Sequence, residues 1–95
     1  MYTIYVKFDC VPGKREAFVA RVREEGILDA VRNEEGCQRY DYYYSEENKD
    51  ELLLIEAWDS LKHQQVHIEQ PHMAKLRSFK NEYILESKLG EFELK

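Results

Sequence analysis

The segment ELLLIEAW at residues 51–58 decides the fold of this chain. Successive side chains of a β-strand point to opposite faces of its sheet, so this segment, taken as a strand, has two apolar faces. One face carries Leu52, Leu54 and Trp58, and the other carries Leu53, Ile55 and Ala57. Both faces require a cover, whereas the helices of one small chain can lie on only one side of a sheet.

Three further segments alternate in a similar way. Residues 2–8 place Tyr2, Ile4, Val6 and Phe8 on one face and predict the first strand. Tyr40, Tyr42 and Tyr44 share one face of the second, and the polar turn at 46–50 then leads into residues 51–58 as an antiparallel hairpin. Leu89, Phe92 and Leu94 predict a last strand over residues 86–94.

Helical spacing appears between the strands. After the Pro-Gly turn at residues 12–13, apolar side chains recur at helical intervals and predict a helix over about residues 14–32, disturbed near Gly26. Asp59 or Ser60 is suited to cap a short helix that follows the third strand. Pro71, which a first helical turn tolerates, predicts the start of another helix that runs to about Tyr83.

The predicted order of elements is strand, helix, strand, strand, helix, strand. This is the split βαβ arrangement of a ferredoxin-like α+β fold with an antiparallel sheet. We expect one domain over residues 1–95, because a chain of this length holds one modest core. The second apolar face of residues 51–58 predicts a homodimer in which two sheets pack face to face.

Composition and charge exclude several classes of partner. Fourteen Lys and Arg against nineteen Asp and Glu give a net charge of −5, which repels nucleic acids and anionic membrane surfaces. The longest apolar run is too short to span a bilayer, and the N-terminal pattern is that of a strand rather than a signal peptide. We therefore expect a cytoplasmic protein without nucleic-acid or membrane partners. Cys10 and Cys37 form no CxxC pair and are expected to be reduced, structural thiols.

All three histidines and the only tryptophan lie within residues 56–73. His63 and His67 are four residues apart, as metal-binding pairs on helices are, but a catalytic zinc generally needs a third protein ligand, and we predict no metal. His67 and His72 flank the junction before Pro71 and are predicted to converge near the end of the third strand. An imidazole suits proton transfer at neutral pH, so these two are the candidate catalytic residues. A hydrogen-bonded structural role is the alternative for each.

Aromatic and acidic side chains are predicted to line the same space. Trp58, Tyr40 and Tyr42 offer flat surfaces for an aromatic substrate, although packing in the core is the stronger explanation for each of them. Glu56 shares a strand face with Trp58, where a buried carboxylate costs free energy unless it is paired. His67 or Arg39 would be a suitable partner. The chain has no Gly-rich phosphate loop, so nothing indicates a nucleotide or flavin cofactor.

Several short motifs have a characteristic order and spacing. They are Pro12-Gly13, Glu34-Glu35-Gly36-Cys37 followed by Tyr40, then Glu56, Trp58, Ser60, His63, His67 and Pro71-His72-Met73. Together they resemble the antibiotic biosynthesis monooxygenase family, in particular its small quinol monooxygenase branch, over nearly the whole chain. The polyketide-oxidising branch has an asparagine where this chain has Leu54, and the haem-degrading branch has an asparagine on the first strand, where this chain has none.

The resemblance implies a dimeric α+β barrel that oxidises a quinol-like or other small aromatic substrate with molecular oxygen and without a cofactor. His67 or His72 would be the base, and Trp58, Glu56, Tyr40 and Tyr42 would contact the substrate. Two alternatives remain open. One is an isomerase of a phosphorylated quorum-sensing compound, which would need a cation such as Arg39 or Lys75 beside the pocket. The other is a small-molecule-binding module without turnover.

Overall fold

The computed structural model describes residues 1–91 and confirms the ferredoxin-like α+β fold. The elements in chain order are β1 (Tyr2–Cys10), α1 (Arg15–Glu24), α2 (Ile27–Arg32), β2 (Cys37–Tyr44), β3 (Glu51–Trp58), α3 (Leu61–Ile68), α4 (Pro71–Lys80) and β4 (Ile84–Glu91). The four strands form one sheet in the order β2-β3-β1-β4, and all neighbours are antiparallel. Of the predicted last strand, Phe92 and Leu94 lie outside the described residues. No helix among residues 1–91 is both long and apolar enough to cross a membrane.

The two faces of β3 have different environments. Leu52, Leu54 and Trp58 are buried beneath the helices, where they join the main core. On the opposite face, Leu53 and Ile55 are only half-buried in the single chain. The alternation predicted for residues 51–58 is therefore confirmed, and the helices of one chain cover only one side of the sheet.

The helix predicted over residues 14–32 is divided into α1 and α2. Gly26 separates them with a φ of 75°, a left-handed conformation that glycine adopts without the steric cost of a Cβ. The change of direction lets both helices bury apolar side chains against the sheet, with Phe18 and Val22 on α1 and Val31 on α2.

The segment between β3 and β4 contains two short helices that position the site. Ser60, rather than Asp59, caps α3, because its Oγ accepts the backbone N–H of His63 at 3.3 Å. Pro71 starts α4 as predicted, but the helix ends at Lys80 instead of near Tyr83, since residues 81–83 turn the chain back into β4. α3 and α4 are thus joined by a short turn at residues 69–70, and both line the space above the sheet.

Candidate functional site

A cavity of about 280 Å³ lies between the sheet and the helices α3 and α4. Most of its wall is apolar and comes from Val6, Phe8, Phe18, Leu54, Ile68, Met73, Leu76 and Leu89. Its polar groups are those of Tyr40, Tyr42, Glu56, Gln64, His67, Arg77, Lys80 and Ser87. An apolar cavity with a few convergent polar groups is the usual form of a small-molecule site.

His67 is the most constrained polar residue of this wall. Its side chain is 2% exposed, and its ring lies against Trp58 with centroids 4.7 Å apart and against the edge of Tyr40 at 5.6 Å. Nδ1 lies 2.8 Å from Oε2 of Glu34. An ionised carboxylate only accepts hydrogen bonds, so Nδ1 donates to Glu34, and in the neutral form of the ring Nε2 keeps its lone pair.

Glu34 joins the two predicted catalytic histidines. The Nε2–H of His72 donates to the same Oε2 at 2.8 Å, so one carboxylate oxygen accepts from both imidazoles. Glu34 and His72 are partly buried behind His67, and neither lines the cavity. His72 can therefore act on a ligand only through Glu34 and His67, whereas His67 faces the cavity directly.

Among residues 1–91, the same three side chains form the group most suited to hold a metal ion. One ligand atom from each of Glu34, His67 and His72 lies within 4.8 Å of the others, a donor set of two nitrogens and one oxygen that zinc or iron accepts. In the structure these atoms are joined by two hydrogen bonds, which a metal would have to displace together with their protons. His63 is not part of this group, and its Nδ1 contacts Oγ of Ser60 at 2.7 Å.

Glu56 lines the cavity beside His67. It accepts a hydrogen bond from Nε1 of Trp58 at 3.1 Å, and its Oε1 lies 3.9 Å from Nε2 of His67. Burial raises the pKa of the Glu56 carboxyl above its usual range, an effect that the Trp58 hydrogen bond and the nearby His67 oppose. His67 is thus close to Glu56 as predicted, while Arg39 lies near Asp41 at 3.7 Å instead.

Of the aromatic residues of the predicted site, the two tyrosines line the cavity and the tryptophan does not. Tyr40 and Tyr42 line the cavity with rings 6.1 Å apart in an edge-to-face arrangement. Burial raises the pKa of both phenols, so their hydroxyls stay protonated and able to donate. Trp58 is fully buried behind His67 and Glu56, outside the cavity lining. It supports these two side chains from behind and does not reach the cavity.

The cysteines lie apart from this cluster, and neither lines the cavity. Burial raises the pKa of the Cys10 thiol to about 11 and also raises the pKa of Cys37. Both are free thiols. Because the thiolate is the nucleophilic form, these values agree with the structural role expected for both cysteines.

Several residues of this region were not among the predicted site residues, and Glu34, Arg77 and Lys80 bear most on the chemistry. Glu34 lies in the turn before β2, where no local pattern distinguishes it from the exposed Glu35. Arg77 and Lys80 line the cavity from α4, whereas the cations suggested from the sequence, Arg39 and Lys75, do not. A signal for Lys80 was present, because it follows Leu76 by four residues on the cavity-facing stripe of α4.

The fold and the cavity define a class of protein, a small ferredoxin-like α+β domain that encloses a pocket between its sheet and its helices. A sequence model of the family described as antibiotic biosynthesis monooxygenase matches residues 1–78. The chain therefore belongs to the antibiotic biosynthesis monooxygenase family, which confirms the resemblance seen in its motifs.

Individual relatives agree with this assignment. The "Probable quinol monooxygenase YgiN" of Escherichia coli (strain K12) is 26% identical over 81 residues, which cover 77% of this chain and 78% of that protein. The crystal structure of PA3566 from Pseudomonas aeruginosa has a TM-score of 0.84 at 19% identity and covers 98% of this chain and 92% of that one. Rv0793 from Mycobacterium tuberculosis has a TM-score of 0.82 at 24% identity, with 98% and 93% covered. The two structures show a shared fold, and the family match and the YgiN similarity support a monooxygenase-type function.

Proposed function

We propose that this chain is a cofactor-independent monooxygenase that acts on a quinol-like or other small aromatic substrate. The observation that carries the proposal is the setting of His67 in the cavity wall. Glu34 holds its Nδ1–H at 2.8 Å, which leaves the lone pair of Nε2 as the acceptor beside the cavity. A base held in one tautomer next to an apolar cavity is suited to deprotonate a phenol.

The chemistry needs little more from the protein. Once His67 removes a phenolic proton, the electron-rich ring passes electrons to molecular oxygen. A quinol and O₂ yield a hydroxyquinone and water, so the substrate supplies all of the electrons and no external reductant is required. The protein binds the ring, accepts the proton and shields the intermediate from water, as the apolar wall allows.

The other polar groups have supporting roles in this proposal. Tyr40 and Tyr42 keep their protons and donate hydrogen bonds to the substrate oxygens. Glu56, whose pKa burial raises, lies 3.9 Å from Nε2 of His67 and helps to stabilise the imidazolium when it ionises. Glu34 and His72 are positioning residues, since they act only through His67.

The working unit in this proposal is a homodimer. The outer face of the sheet carries Leu53 and Ile55, which are half-buried in the single chain. A second copy packed sheet against sheet would remove this apolar surface from water and form the α+β barrel that the resemblance implies.

Oxygen consumption with a panel of hydroquinones tests the activity. We expect turnover by the wild type, and His67→Gln should lower kcat by about 10²-fold or more, the usual contribution of a general base. His63→Gln is the matched control, because it removes an imidazole from the same helix but outside the cavity. Equal rates in the His67→Gln and wild-type proteins would remove histidine chemistry from the proposal.

The alternatives give different results in the same experiment. A binding module without turnover would show a ligand-dependent rise in Tm and no oxygen uptake. The isomerase alternative requires a cationic group at the pocket, and Arg77 and Lys80 supply one where Arg39 and Lys75 do not. Conversion of a phosphorylated substrate without oxygen uptake would favour that alternative.

A further inference from the structure

We propose that the substrate carries an anionic group, which Arg77 and Lys80 bind at the α4 side of the cavity. The inference rests on the proposed function in one respect, that this cavity is where the substrate binds. It adds a class of substrate, a hydroxylated aromatic with a carboxylate, sulfonate or phosphate substituent.

The two cations share one face of one helix. Arg77 and Lys80 are three residues apart on α4, a spacing that places side chains next to each other, and both line the cavity. Nη1 of Arg77 donates to the carbonyl of Ile68 at 3.1 Å, and Nζ of Lys80 donates to Oγ of Ser87 at 3.2 Å. Each side chain is thus held by a neutral partner, one at the end of α3 and the other on β4.

Neither cation pairs with a carboxylate in the part of the chain that the structure describes. Within residues 1–91, no carboxylate lies within 4.0 Å of Arg77 or Lys80. The neighbouring Lys75, by contrast, pairs with Glu25 at 3.2 Å. Other described cations, such as Lys14 and Lys49, also have no carboxylate within 4.0 Å, but they do not line the cavity as Arg77, which is exposed, and Lys80, which is half-buried, both do.

The surroundings of Lys80 indicate what a bound anion would contribute. Burial lowers the pKa of Lys80, and the charge of Arg77 lowers it further. An anion between the two side chains would relieve both effects through charge-assisted hydrogen bonds. Basic residues in the last turn of a helix also interact favourably with its dipole, but that interaction does not require them to face a cavity.

The Lys80 end of the subsite lies away from the proposed base, whereas Arg77 is held at Ile68, the residue after His67. Ser87, the partner of Lys80, pairs with Phe8 on β1, whereas Glu56 beside His67 pairs with Ile4 on the same strand. Phe8 and Ile4 are four residues apart, or about 13 Å along a strand. A substrate that spans both ends is therefore longer than one aromatic ring, such as a fused bicyclic phenol with its anion on the far ring.

A pair of redox-stable probes tests this separately from turnover. The probes are 6-hydroxynaphthalene-2-sulfonate and the corresponding neutral sulfonamide, which have nearly the same shape. We expect the wild type to bind the sulfonate at least about tenfold more tightly by calorimetry, a difference of about 1.4 kcal/mol. In the Arg77→Met, Lys80→Met double variant the preference should disappear while sulfonamide affinity stays within about twofold. Lys75→Met, which removes a paired cation outside the cavity, should retain the preference.

A second measurement needs no variant. Raising NaCl from about 0.02 to about 0.5 M should weaken binding of the sulfonate and leave the sulfonamide unchanged, since salt screens only the charged probe. Equal affinity of the two probes for the wild type, a preference that survives in the double variant, or no binding of the sulfonate at millimolar concentration would each overturn the proposal. If the proposed activity is wrong while the subsite is right, the protein will show no oxygen uptake but will still bind the sulfonate more tightly than the sulfonamide.

Discussion

The substitution Glu34→Gln tests the central feature of the site, one carboxylate oxygen shared by two imidazoles. Glu34 accepts from Nδ1 of His67 and Nε2 of His72, each at 2.8 Å. Glutamine keeps the shape of the side chain and one carbonyl oxygen, but it removes the negative charge. Because both imidazoles donate to Oε2, the glutamine oxygen can take that position and still accept from both, but as a neutral acceptor, with the amide N–H₂ in the place of Oε1.

The expected effect on turnover follows from the strength of hydrogen bonds. A base that accepts a proton becomes an imidazolium, and Glu34 stabilises that charge through a bond about twice as strong as a neutral one. Bonds to charged groups contribute about 1.5–3 kcal/mol and neutral bonds about 1 kcal/mol, so the change should cost about 1–2 kcal/mol of transition-state stabilisation. This corresponds to a fall in kcat of roughly 10-fold, with KM nearly unchanged because Glu34 does not line the cavity.

Oxygen uptake at saturating hydroquinone measures kcat, and the adjacent, exposed Glu35→Gln is the matched control. The decisive comparison is made in the His67→Gln background. If Glu34 acts through His67, removing the charge of Glu34 in the His67→Gln variant should not lower kcat further. An unchanged kcat in Glu34→Gln, or the same tenfold loss with and without His67, would refute the role assigned to Glu34.

Three other perturbations have defined outcomes. Glu56→Gln should raise the free energy of unfolding at pH 7, by about 1.4 kcal/mol for each unit of pKa elevation. Because burial raises the pKa of Glu56, this gain in stability should shrink as pH falls toward the ordinary value of 4.5. Urea denaturation at several pH values measures the gain. A Glu56→Gln variant less stable than the wild type at pH 7 would contradict this prediction. Ile55→Asp should convert the proposed dimer to a monomer in sedimentation, and a wild type that is itself a fully active monomer at micromolar concentration would refute the sheet-to-sheet packing. Dialysis against EDTA should leave oxygen uptake unchanged; loss of uptake that zinc or iron(II) restores would instead assign a metal to Glu34, His67 and His72.

The fold was largely predictable because its signals are local. The alternation in residues 51–58 identified β3, and the polar turn at 46–50 identified the hairpin with β2. The helix boundaries were less accurate. Gly26 divides the predicted first helix, and α4 ends at Lys80 because the chain must turn to reach β4. Both differences arise where packing on the sheet overrides a helical pattern in the sequence.

The cavity was only partly predictable. Tyr40, Tyr42, Glu56 and His67 line it, and each lies on the face that strand or helix periodicity indicates. Trp58 shares the strand face of Glu56 but is covered by His67, so it supports the wall instead of lining it. Periodicity gives the face of an element on which a residue lies, but not which of two neighbours on that face covers the other.

The sequence by itself determined the βαββαβ order, the helix-facing side of each strand and the segment that carries all three histidines, because these depend on patterns within a few residues. Only the tertiary structure decided that Glu34 meets His67, 33 residues away, and His72, 38 residues away. It also decided that Arg77 and Lys80, rather than Arg39 or Lys75, face the cavity. Such contacts depend on the positions that helices and turns take above the sheet, and these are set by the packing of the whole core rather than by any local run of residues.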